Sequence, residues 1–360
     1  MGEGVLRAAL VGAGSFGAHA LKALRNSSRV ELVGLSDQDR RAAEAASVEA
    51  GCPAYSDHRR LLVETAPEAA FLAVPPAPAA ELVRLGAKRN VHLWRQVPLA
   101  RNLPEAVELC RLTARTGRKF AVGTPRRFMP GYQHARTAWA RLGRVFCLQG
   151  HYQFNYGAGL GWRGDRAAGG GALIELGYHL FDLLVWLLGL PRTVYAITAT
   201  GQRTGGADGQ PVYDSDDSAV AVLRYPGDVV ATVAVSRCFN PVSEQLTAYG
   251  QAGTLSAGPG GCTLRDRDGN VLESLESDEP PADVFARMID AFVRPAAEAA
   301  PRYDCSGWEN LLTMAVVAAA YLSNQTGEPE SPGRLLANYD VAPADCLRFA
   351  PPGKPPHETK

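Results

Sequence analysis

The sequence predicts an α/β domain built on a doubly wound parallel sheet, followed by an α+β domain with a large, mostly antiparallel sheet. Strand-like and helix-like segments alternate through the first third, and a glycine-rich turn joins the first strand to the first helix. From about residue 126 the pattern changes to alternating strands around one apolar helix. With 360 residues, 46% of them hydrophobic, the chain can bury more than one core.

Charge and composition favour a small-molecule ligand. Lys and Arg total 37 and Asp and Glu total 37, so the formal net charge is zero. This balance provides no electrostatic case for nucleic acid or an anionic membrane as a partner. We therefore expect a small neutral or mixed-charge substrate.

The cysteines and the apolar runs bear on the cell compartment. The seven cysteines are scattered and include no C-x-x-C pair, which argues against a disulfide framework and a thiolate metal site. The chain starts without a basic region and separate apolar segment, and its longest clean apolar run, LLTMAVVAAAYL, is too short to span a bilayer. We expect a cytoplasmic protein with no bound metal.

The first strand and helix frame a G-x-G-x-x-G turn. VLRAALVG predicts a strand over residues 5–12, and GAGSFGAHALKALRNS continues it as a turn and a helix. Gly12 permits the tight turn, Gly14 lets the backbone approach a pyrophosphate, and Gly17 lets helix and strand pack closely. The helix N-terminus offers free N–H groups to phosphate. The candidate cofactor-binding residues here are Gly12, Gly14, Ser15, Phe16 and Gly17.

An acidic residue closes the dinucleotide pattern. The second predicted strand, VELVGLSD, ends in Asp37, about 20 residues after the last glycine, where a carboxylate can accept both ribose hydroxyls of an adenosine. Asp37 should repel a 2′-phosphate and so favours NAD. Arg40 and Arg41 follow closely and would neutralise that phosphate if the loop turned inward, so NADP stays possible.

The remaining segments of the first domain complete a parallel sheet. They are a strand over 68–74, a helix over 79–89, a strand at VHLW, a helix over 103–117 and a strand at KFAVGT. In such sheets the ligand lies at the carboxyl ends of the strands. Pro75, Gln96 and Val97 occupy these ends, and they are further candidates for contact with the nicotinamide.

The second domain has its own pattern. A helix over roughly 129–141 is followed by alternating segments, including RVFCLQGHYQFN, TVYAITATG, SAVAVLRY, VVATVAVSR, QLTAYG and TLRDRDG. A long C-terminal helix, SGWENLLTMAVVAAAYLSNQ, precedes a proline-rich end. We assign residues 1–125 to the dinucleotide-binding domain, 126–345 to a substrate-binding and oligomerisation domain, and 346–360 to a flexible tail.

The central helix of the second domain carries a polar cluster. In GGGALIELGYHLFDLLVWLLG, Glu175 and His179 are four residues apart and His179 and Asp182 three apart, so the pattern places all three on one helical face. Two carboxylates beside an imidazole can hold a neutral histidine in place and set its tautomer, as a proton-transferring base requires. The alternative is a satisfied structural pair of His179 and Asp182 at a domain junction.

Together these stretches resemble the Gfo/Idh/MocA family, named for glucose-fructose oxidoreductase, inositol dehydrogenase and a rhizopine-catabolism protein. The resemblance rests on VGAGSFG with Asp37, on AVPP, on WRGDRAAGGGALIELGYHLFD and on AYLSNQTGEP. It implies a Rossmann domain, an open-faced sheet domain, and oxidation or reduction of a sugar, cyclitol or similar polyol at the nicotinamide. It also implies a homodimer or homotetramer assembled through the sheet.

The chain departs from the family at the reacting centre. QVPLA occupies the place of the family's E-K-P, so the lysine that contacts the reacting hydroxyl or carbonyl is replaced by Val97 and its glutamate by Gln96. Glu175 replaces the family's aspartate and Ala79 a frequent histidine, whereas His179 and Asp182 are unchanged. A valine cannot stabilise an alkoxide. His179 must then carry the proton chemistry, with Glu175 and Asp182 steering it and Tyr178 or Arg163 as auxiliary donors.

Three functional hypotheses stay open at this point. The first is an NAD-dependent oxidoreductase with altered acid–base residues. The second is a non-catalytic NAD-binding protein whose sheet face binds a partner. The third is an enzyme that uses bound NAD transiently, for elimination or glycoside cleavage.

Overall fold

The computed structural model describes residues 5–157, 159–201, 213–294 and 305–347. The chain forms two compact units, which are described separately. The first unit comprises Met1–Ala100, Pro104–Pro125 and Glu279–Glu309, and the second comprises Arg101–Leu103, Arg126–Asp278 and Asn310–Lys360. Within the described ranges no helix combines the length and apolar character needed to cross a membrane.

The first unit contains the predicted parallel sheet. Its six strands are ordered β3-β2-β1-β4-β5-β6, the arrangement of a doubly wound Rossmann sheet. The apolar runs of β1, β4 and β6 are buried because helices cover both faces. The strands are β1 (Leu6–Val11), β2 (Val30–Ser36), β3 (Ala54–Tyr55), β4 (Ala69–Leu72), β5 (His92–Gln96) and β6 (Phe120–Gly123).

The helices that alternate with these strands agree with the predicted pattern, and the sequence analysis missed two of them, α2 (Arg40–Ala50) and α3 (His58–Glu64). The short helix α3 follows the two-residue strand β3, and both were too short to give a periodic signal. The helices are α1 (Ser15–Asn26), α2 (Arg40–Ala50), α3 (His58–Glu64), α4 (Pro76–Lys88) and α5 (Leu103–Ala114).

The second unit contains an eight-stranded sheet in the order β14-β13-β12-β11-β7-β10-β9-β8. Every neighbouring pair is antiparallel except β7 and β10, which are parallel. The strands are β7 (Val145–Asn155), β8 (Thr193–Ala199), β9 (Ser218–Arg224), β10 (Val230–Ser236), β11 (Cys238–Gly250), β12 (Gly253–Gly258), β13 (Gly261–Asp266) and β14 (Val271–Glu276).

Two of the predicted helices of this unit come before β8 in the chain. The first is α6 (Pro130–Ala138), which a 3-10 turn extends to Leu142. The second is α7 (Tyr178–Leu188), which directly continues a π-helical segment, Leu173–Gly177. The Leu180 side chain of α7 lies over Gly150 of β7, so α7 covers one face of the sheet.

Four further helices follow the second sheet in the described residues, and the one over Gly307–Thr326 is the predicted long C-terminal helix. Residues 279–309, which the sequence analysis placed in the second domain, group with the first unit. There α8 packs on α1, with the Phe285 and Phe16 rings 4.7 Å apart. The helices are α8 (Pro281–Val293), α9 (Gly307–Thr326), α10 (Pro332–Ala337) and α11 (Pro343–Cys346). The expected tail at 346–360 starts at the end of α11, and residues 348–360 lie outside the described part of the chain.

Candidate functional site

The glycine turn of the first unit leaves its middle residue open. Gly12 has a φ of +98°, and a Cβ there would lie 2.3 Å from the carbonyl oxygen of Ala73. A Cβ on Gly17 would lie 2.1 Å from the carbonyl oxygen of Gly12, whereas a Cβ on Gly14 would meet nothing within 4 Å. Gly14 caps α1 without a side chain. This cradle fits a pyrophosphate, because free N–H groups of the helix face open space.

Asp37 is fixed beside this turn by two backbone hydrogen bonds. Its Oδ2 accepts from the N–H of Ala13 at 2.6 Å, and its Oδ1 accepts from the N–H of Asp39 at 2.8 Å. Each carboxylate oxygen retains a lone pair for a ribose hydroxyl. Arg40 pairs with Glu44 at 2.7 Å instead of contacting Asp37. The fit therefore favours an adenosine ribose without a 2′-phosphate.

Two other predicted cofactor residues begin α1, and their side chains differ in role. Phe16 packs its ring against Trp94 and Phe285, at centroid distances of 6.3 and 4.7 Å. Ser15 is exposed at the first helical position. Phe16 therefore contributes packing, and only its main chain can serve a phosphate.

The corner after β5 is held by hydrogen bonds from the Arg95 side chain to backbone carbonyls, and residue 97 offers no side-chain donor there. Gln96 ends β5, Val97 follows it, and both are half-buried, while Pro75 caps α4 after the neighbouring strand β4. The buried side chain of Arg95 donates to the carbonyl oxygens of Gln96 and Leu99, at 3.0 and 2.6 Å. Arg95 thus stabilises the corner and does not take the lysine's place.

In the second unit, Asp182 belongs to a buried ion pair with Arg127. The Asp182 carboxylate accepts from Nε and Nη2 of Arg127 at 2.8 and 2.7 Å and from the Thr313 hydroxyl at 3.3 Å. The side chains of Arg127 and Asp182 are 4% and 1% exposed. The sequence predicted that Asp182 steers His179. The Asp182 carboxylate instead binds Arg127, 55 positions away.

Glu175 also has partners other than His179. Its Oε1 accepts from Nε of Arg163 at 2.6 Å and from the Tyr156 hydroxyl at 3.1 Å. Its Oε2 is buried without a hydrogen-bond partner in the described residues. Burial raises the pKa of Glu175, and the Arg163 guanidinium opposes that rise. Glu175 lies in the π-helical segment, a distortion that is frequent at functional sites.

His179 is half-buried one turn after Glu175 and has an open hydrogen-bonding position. Its Nδ1 is buried without a partner in the described ranges. The Tyr152 ring contacts the imidazole edge to face, with centroids 6.3 Å apart. Burial lowers the pKa of His179 well below its usual value, and the positive charge of Arg126 lowers it further. His179 is therefore neutral and able to accept a proton.

The two auxiliary donors named from sequence have different environments. The hydroxyl of the fully buried Tyr178 donates to Oδ1 of Asn310 at 2.8 Å, so it is committed to packing within the second unit. Arg163 stands between the rings of Tyr156 and Trp162, with its guanidinium carbon 4.5 and 4.8 Å from their centroids. Of the two, only Arg163 lies next to Glu175.

Sequence reasoning missed the residues that surround His179 on the sheet. Arg126 pairs with Glu244 at 2.7 Å and stacks over Tyr152 at 4.8 Å. The alternation in HYQFNY was the available signal, since residues 152, 154 and 156 must share one side of a strand. Nothing local in the sequence indicates the pairing of Arg126 with Glu244, 118 positions away.

The described residues offer no metal centre. In residues 5–157, 159–201, 213–294 and 305–347, no group of three or more His, Cys, Asp or Glu side chains could hold a metal ion.

Comparisons with known proteins cover both units. Residues 6–124 match the model of an oxidoreductase family with an NAD-binding Rossmann fold, GFO_IDH_MocA. Residues 132–256 match the GFO/IDH/MocA C-terminal domain. Together the two matches span more than half of the 360 residues.

Individual relatives are distant but nearly full-length. D-xylose 1-dehydrogenase (NADP(+)) 2 of Haloferax volcanii is 25% identical over 88% of this chain and 97% of the relative. Inositol 2-dehydrogenase 4 of Saccharopolyspora erythraea is 26% identical over 92% of this chain and 96% of the relative. Levoglucosan dehydrogenase, solved with NADH and levoglucosan, has a TM-score of 0.83 at 18% identity and covers 91% of this chain and 99% of its own. With a Rossmann sheet, an open glycine cradle and both halves of the family pattern in place, the chain belongs to the Gfo/Idh/MocA family of NAD-binding oxidoreductases.

Proposed function

We propose that this protein uses NAD to oxidise a hydroxyl group, or reduce the matching ketone, of a sugar, cyclitol or related compound. One observation carries the chemistry: a single helical segment presents Glu175 Oε2 and His179 Nδ1, both buried and without partners in the described residues. Leaving such atoms unsatisfied is costly. A substrate with neighbouring hydroxyl groups satisfies both, because each hydroxyl can donate one hydrogen bond to one of these two acceptors.

The roles follow from the contacts. NAD, held by the glycine turn and Asp37, would supply the acceptor for a hydride from the carbinol carbon. Neutral His179 takes the hydroxyl proton, since its lowered pKa keeps it unprotonated at neutral pH. Glu175, held by Arg163 and Tyr156, accepts from a neighbouring hydroxyl and so orients the substrate. We assign Asp182 to positioning, because its bond to Arg127 anchors the helix that carries His179.

The cofactor-binding residues are proposed from the contacts and the open space around the glycine turn. Gly12, Gly14 and Gly17, with the main chain of Ser15 and Phe16, hold the pyrophosphate, and Asp37 binds the adenosine ribose. Pro75, Gln96 and Val97 face the nicotinamide at the carboxyl ends of β4 and β5. The fixed carboxylate of Asp37 favours NAD over NADP, although the Haloferax relative is named for NADP.

We further propose a cytoplasmic homodimer or homotetramer. The sheet face opposite α7 exposes large apolar side chains on two adjacent strands, β8 and β9. These side chains are Tyr195, Ile197, Val220 and Val222, which are 38–59% exposed. A second copy of the chain would cover this face. Replacing Val220 and Val222 by aspartate should then lower the mass measured by light scattering.

The experiment that tests the function combines binding with turnover. NADH fluorescence is titrated with purified protein, and NAD⁺ reduction is followed with sugars, inositols and, in reverse, their keto forms. The proposal expects tight NADH binding and turnover of at least one compound. NADH binding with no turnover would favour a non-catalytic NAD-binding protein, the alternative that Val97 supports because it cannot stabilise an alkoxide.

A further inference from the structure

A row of aromatic side chains lies beside His179 in the second unit. Tyr152, Phe154 and Tyr156 alternate along β7 and its extension, so all three project from one side of the strand. Their ring centroids are 5.5 Å apart between Tyr152 and Phe154 and 4.5 Å apart between Phe154 and Tyr156. We name these three residues the aromatic ladder. Its first ring is the one that contacts His179.

The ladder lies on the same sheet face as α7, which contacts Tyr152 through His179 and leaves all three rings partly exposed. Leu148 and Gly150, earlier on this face of β7, are buried, and Leu180 of α7 packs over Gly150. The three ladder residues are each partly exposed. Neighbouring aromatic rings that stay partly exposed beside a reacting group offer apolar surface that a ligand can cover.

An arginine stacks on the ring at each end of the ladder, and each arginine forms an ion pair with a glutamate. Arg126 stacks over Tyr152 at 4.8 Å and is held by Glu244, and Arg163 stacks over Tyr156 at 4.5 Å and is held by Glu175. These contacts keep the rings in place. They also leave little net positive charge that could bind an anionic substituent of a ligand, because each guanidinium already binds a carboxylate.

We propose that the substrate is a hydroxylated ring bearing a planar aromatic substituent, such as an aryl glycoside, with its aromatic group packed on the ladder. The inference rests on the proposed function, since it places the hydroxylated ring at Glu175 and His179. Aromatic groups pack favourably on one another in offset or edge-to-face geometry, as the ladder rings already do. Glu175 Oε2 and His179 Nδ1 lack hydrogen-bond partners in the described residues, and they lie beside the aromatic ladder. This arrangement suits a ligand with a short hydroxylated group joined to an apolar group.

The test compares matched pairs of ligands. NAD⁺ reduction and binding to the NADH-loaded protein are measured with methyl and 4-nitrophenyl glycosides of glucose, xylose and galactose, in both anomers. We expect the 4-nitrophenyl compound to have a kcat/KM or affinity roughly threefold to tenfold above its methyl partner for at least one sugar. Phe154→Ala should remove that preference, so that the 4-nitrophenyl and methyl glycosides of one sugar have nearly the same value.

A matched variant separates the ladder from general effects on the strand. Phe146→Ala removes a 48% exposed phenylalanine near the other end of β7 and should keep the preference. Equal values for methyl and 4-nitrophenyl compounds, or an undiminished preference in Phe154→Ala, would overturn the proposal while the oxidoreductase function stood. Binding of neither class would overturn it as well. Binding of the aryl compounds without turnover of any sugar would support the ladder and count against the proposed function.

Discussion

At the scale of single residues, the three glycines of the turn have separate roles that the sequence could predict. The sequence indicated that Gly12 makes the turn, that Gly14 admits the ligand and that Gly17 allows close packing. The clashes that a Cβ would cause at Gly12 and Gly17, and the open space at Gly14, match these roles. The pattern is readable because Gly12 and Gly17 exclude a side chain through contacts with nearby backbone, and Gly14 lies at the open N-terminus of α1.

Gly14→Val should abolish NADH binding and leave the fold intact. The added side chain enters open space proposed for the pyrophosphate, because apart from its immediate chain neighbours no atom lies within 4 Å of its Cβ. Fluorescence titration measures the binding, and the melting temperature measures the fold. Gly12→Ala is the matched control, because its Cβ would press on the carbonyl oxygen of Ala73 and should lower the melting temperature. Unchanged NADH affinity in Gly14→Val would refute the cofactor assignment.

Asp37→Ser should weaken NAD binding and narrow or reverse the preference over NADP. The change removes the negative charge that repels a 2′-phosphate and leaves Arg40 and Arg41 near the vacated position. Dissociation constants for NADH and NADPH, measured at one salt concentration, give the ratio. Arg40→Ala in the same background should reduce any gain for NADPH. Tighter binding of NADPH than NADH by the unchanged protein contradicts this assignment.

At the scale of elements, spacing along a helix did not predict which side chains meet. Glu175, His179 and Asp182 have the spacing of one helical face, yet each acid bonds to a residue from elsewhere in the chain. The π-helical segment before α7 and the partner 55 positions from Asp182 leave no local signal. Periodicity therefore predicted the helix, and tertiary packing decided its contacts.

Removing one partner of the Arg127–Asp182 pair should destabilise the protein strongly. Asp182→Ala leaves a buried guanidinium without its carboxylate, at a cost of about 3–5 kcal/mol in the free energy of unfolding. The double variant Arg127→Met with Asp182→Leu should recover much of that loss, because no buried charge remains. Urea denaturation measures both. A single variant as stable as the unchanged protein would show that the pair contributes little.

His92 makes the stability of the first unit depend on pH. Nδ1 of His92 accepts from the N–H of Lys119 at 2.9 Å, joining β5 to the start of β6. Burial lowers the pKa of His92 to about 4, and the positive charges of Arg118 and Lys119 contribute. An unfolded histidine titrates near 6.5, so the unfolded chain binds the proton first. The contribution of His92 is complete above about pH 6.5 and is lost as the pH falls toward 4.

The measurement is the free energy of unfolding between pH 4 and 7. His92→Gln keeps an acceptor for the Lys119 N–H but does not titrate, so its stability should fall less steeply with acid. His19→Gln, at an exposed position of α1, should retain the slope of the unchanged protein. Parallel curves for the His92→Gln variant and the unchanged protein would show that His92 is not the titrating group.

At the scale of the whole molecule, the sequence predicted both sheets and the family but not the full course of the chain. The βα alternation and the glycine turn predicted the Rossmann sheet, and period-two alternation predicted the second one. The sequence did not predict that residues 279–309 group with the first unit. The packing of Phe285 in α8 on Phe16 in α1 joins distant parts of the chain, so it leaves no local pattern in the sequence. The same limitation hid the neighbours of His179 on β7.

The central claim is that His179 transfers the proton in an NAD-dependent oxidation. It is tested most directly by the turnover of His179→Ala on the best substrate found for the unchanged protein, measured together with its affinity for NADH. A positioned general base contributes about a hundredfold to ten-thousandfold to the rate. We therefore expect kcat/KM to decrease by a factor of that size, while the affinity for NADH stays the same. A His179→Ala protein that turns over substrate at the original rate would contradict the account and place the proton chemistry elsewhere.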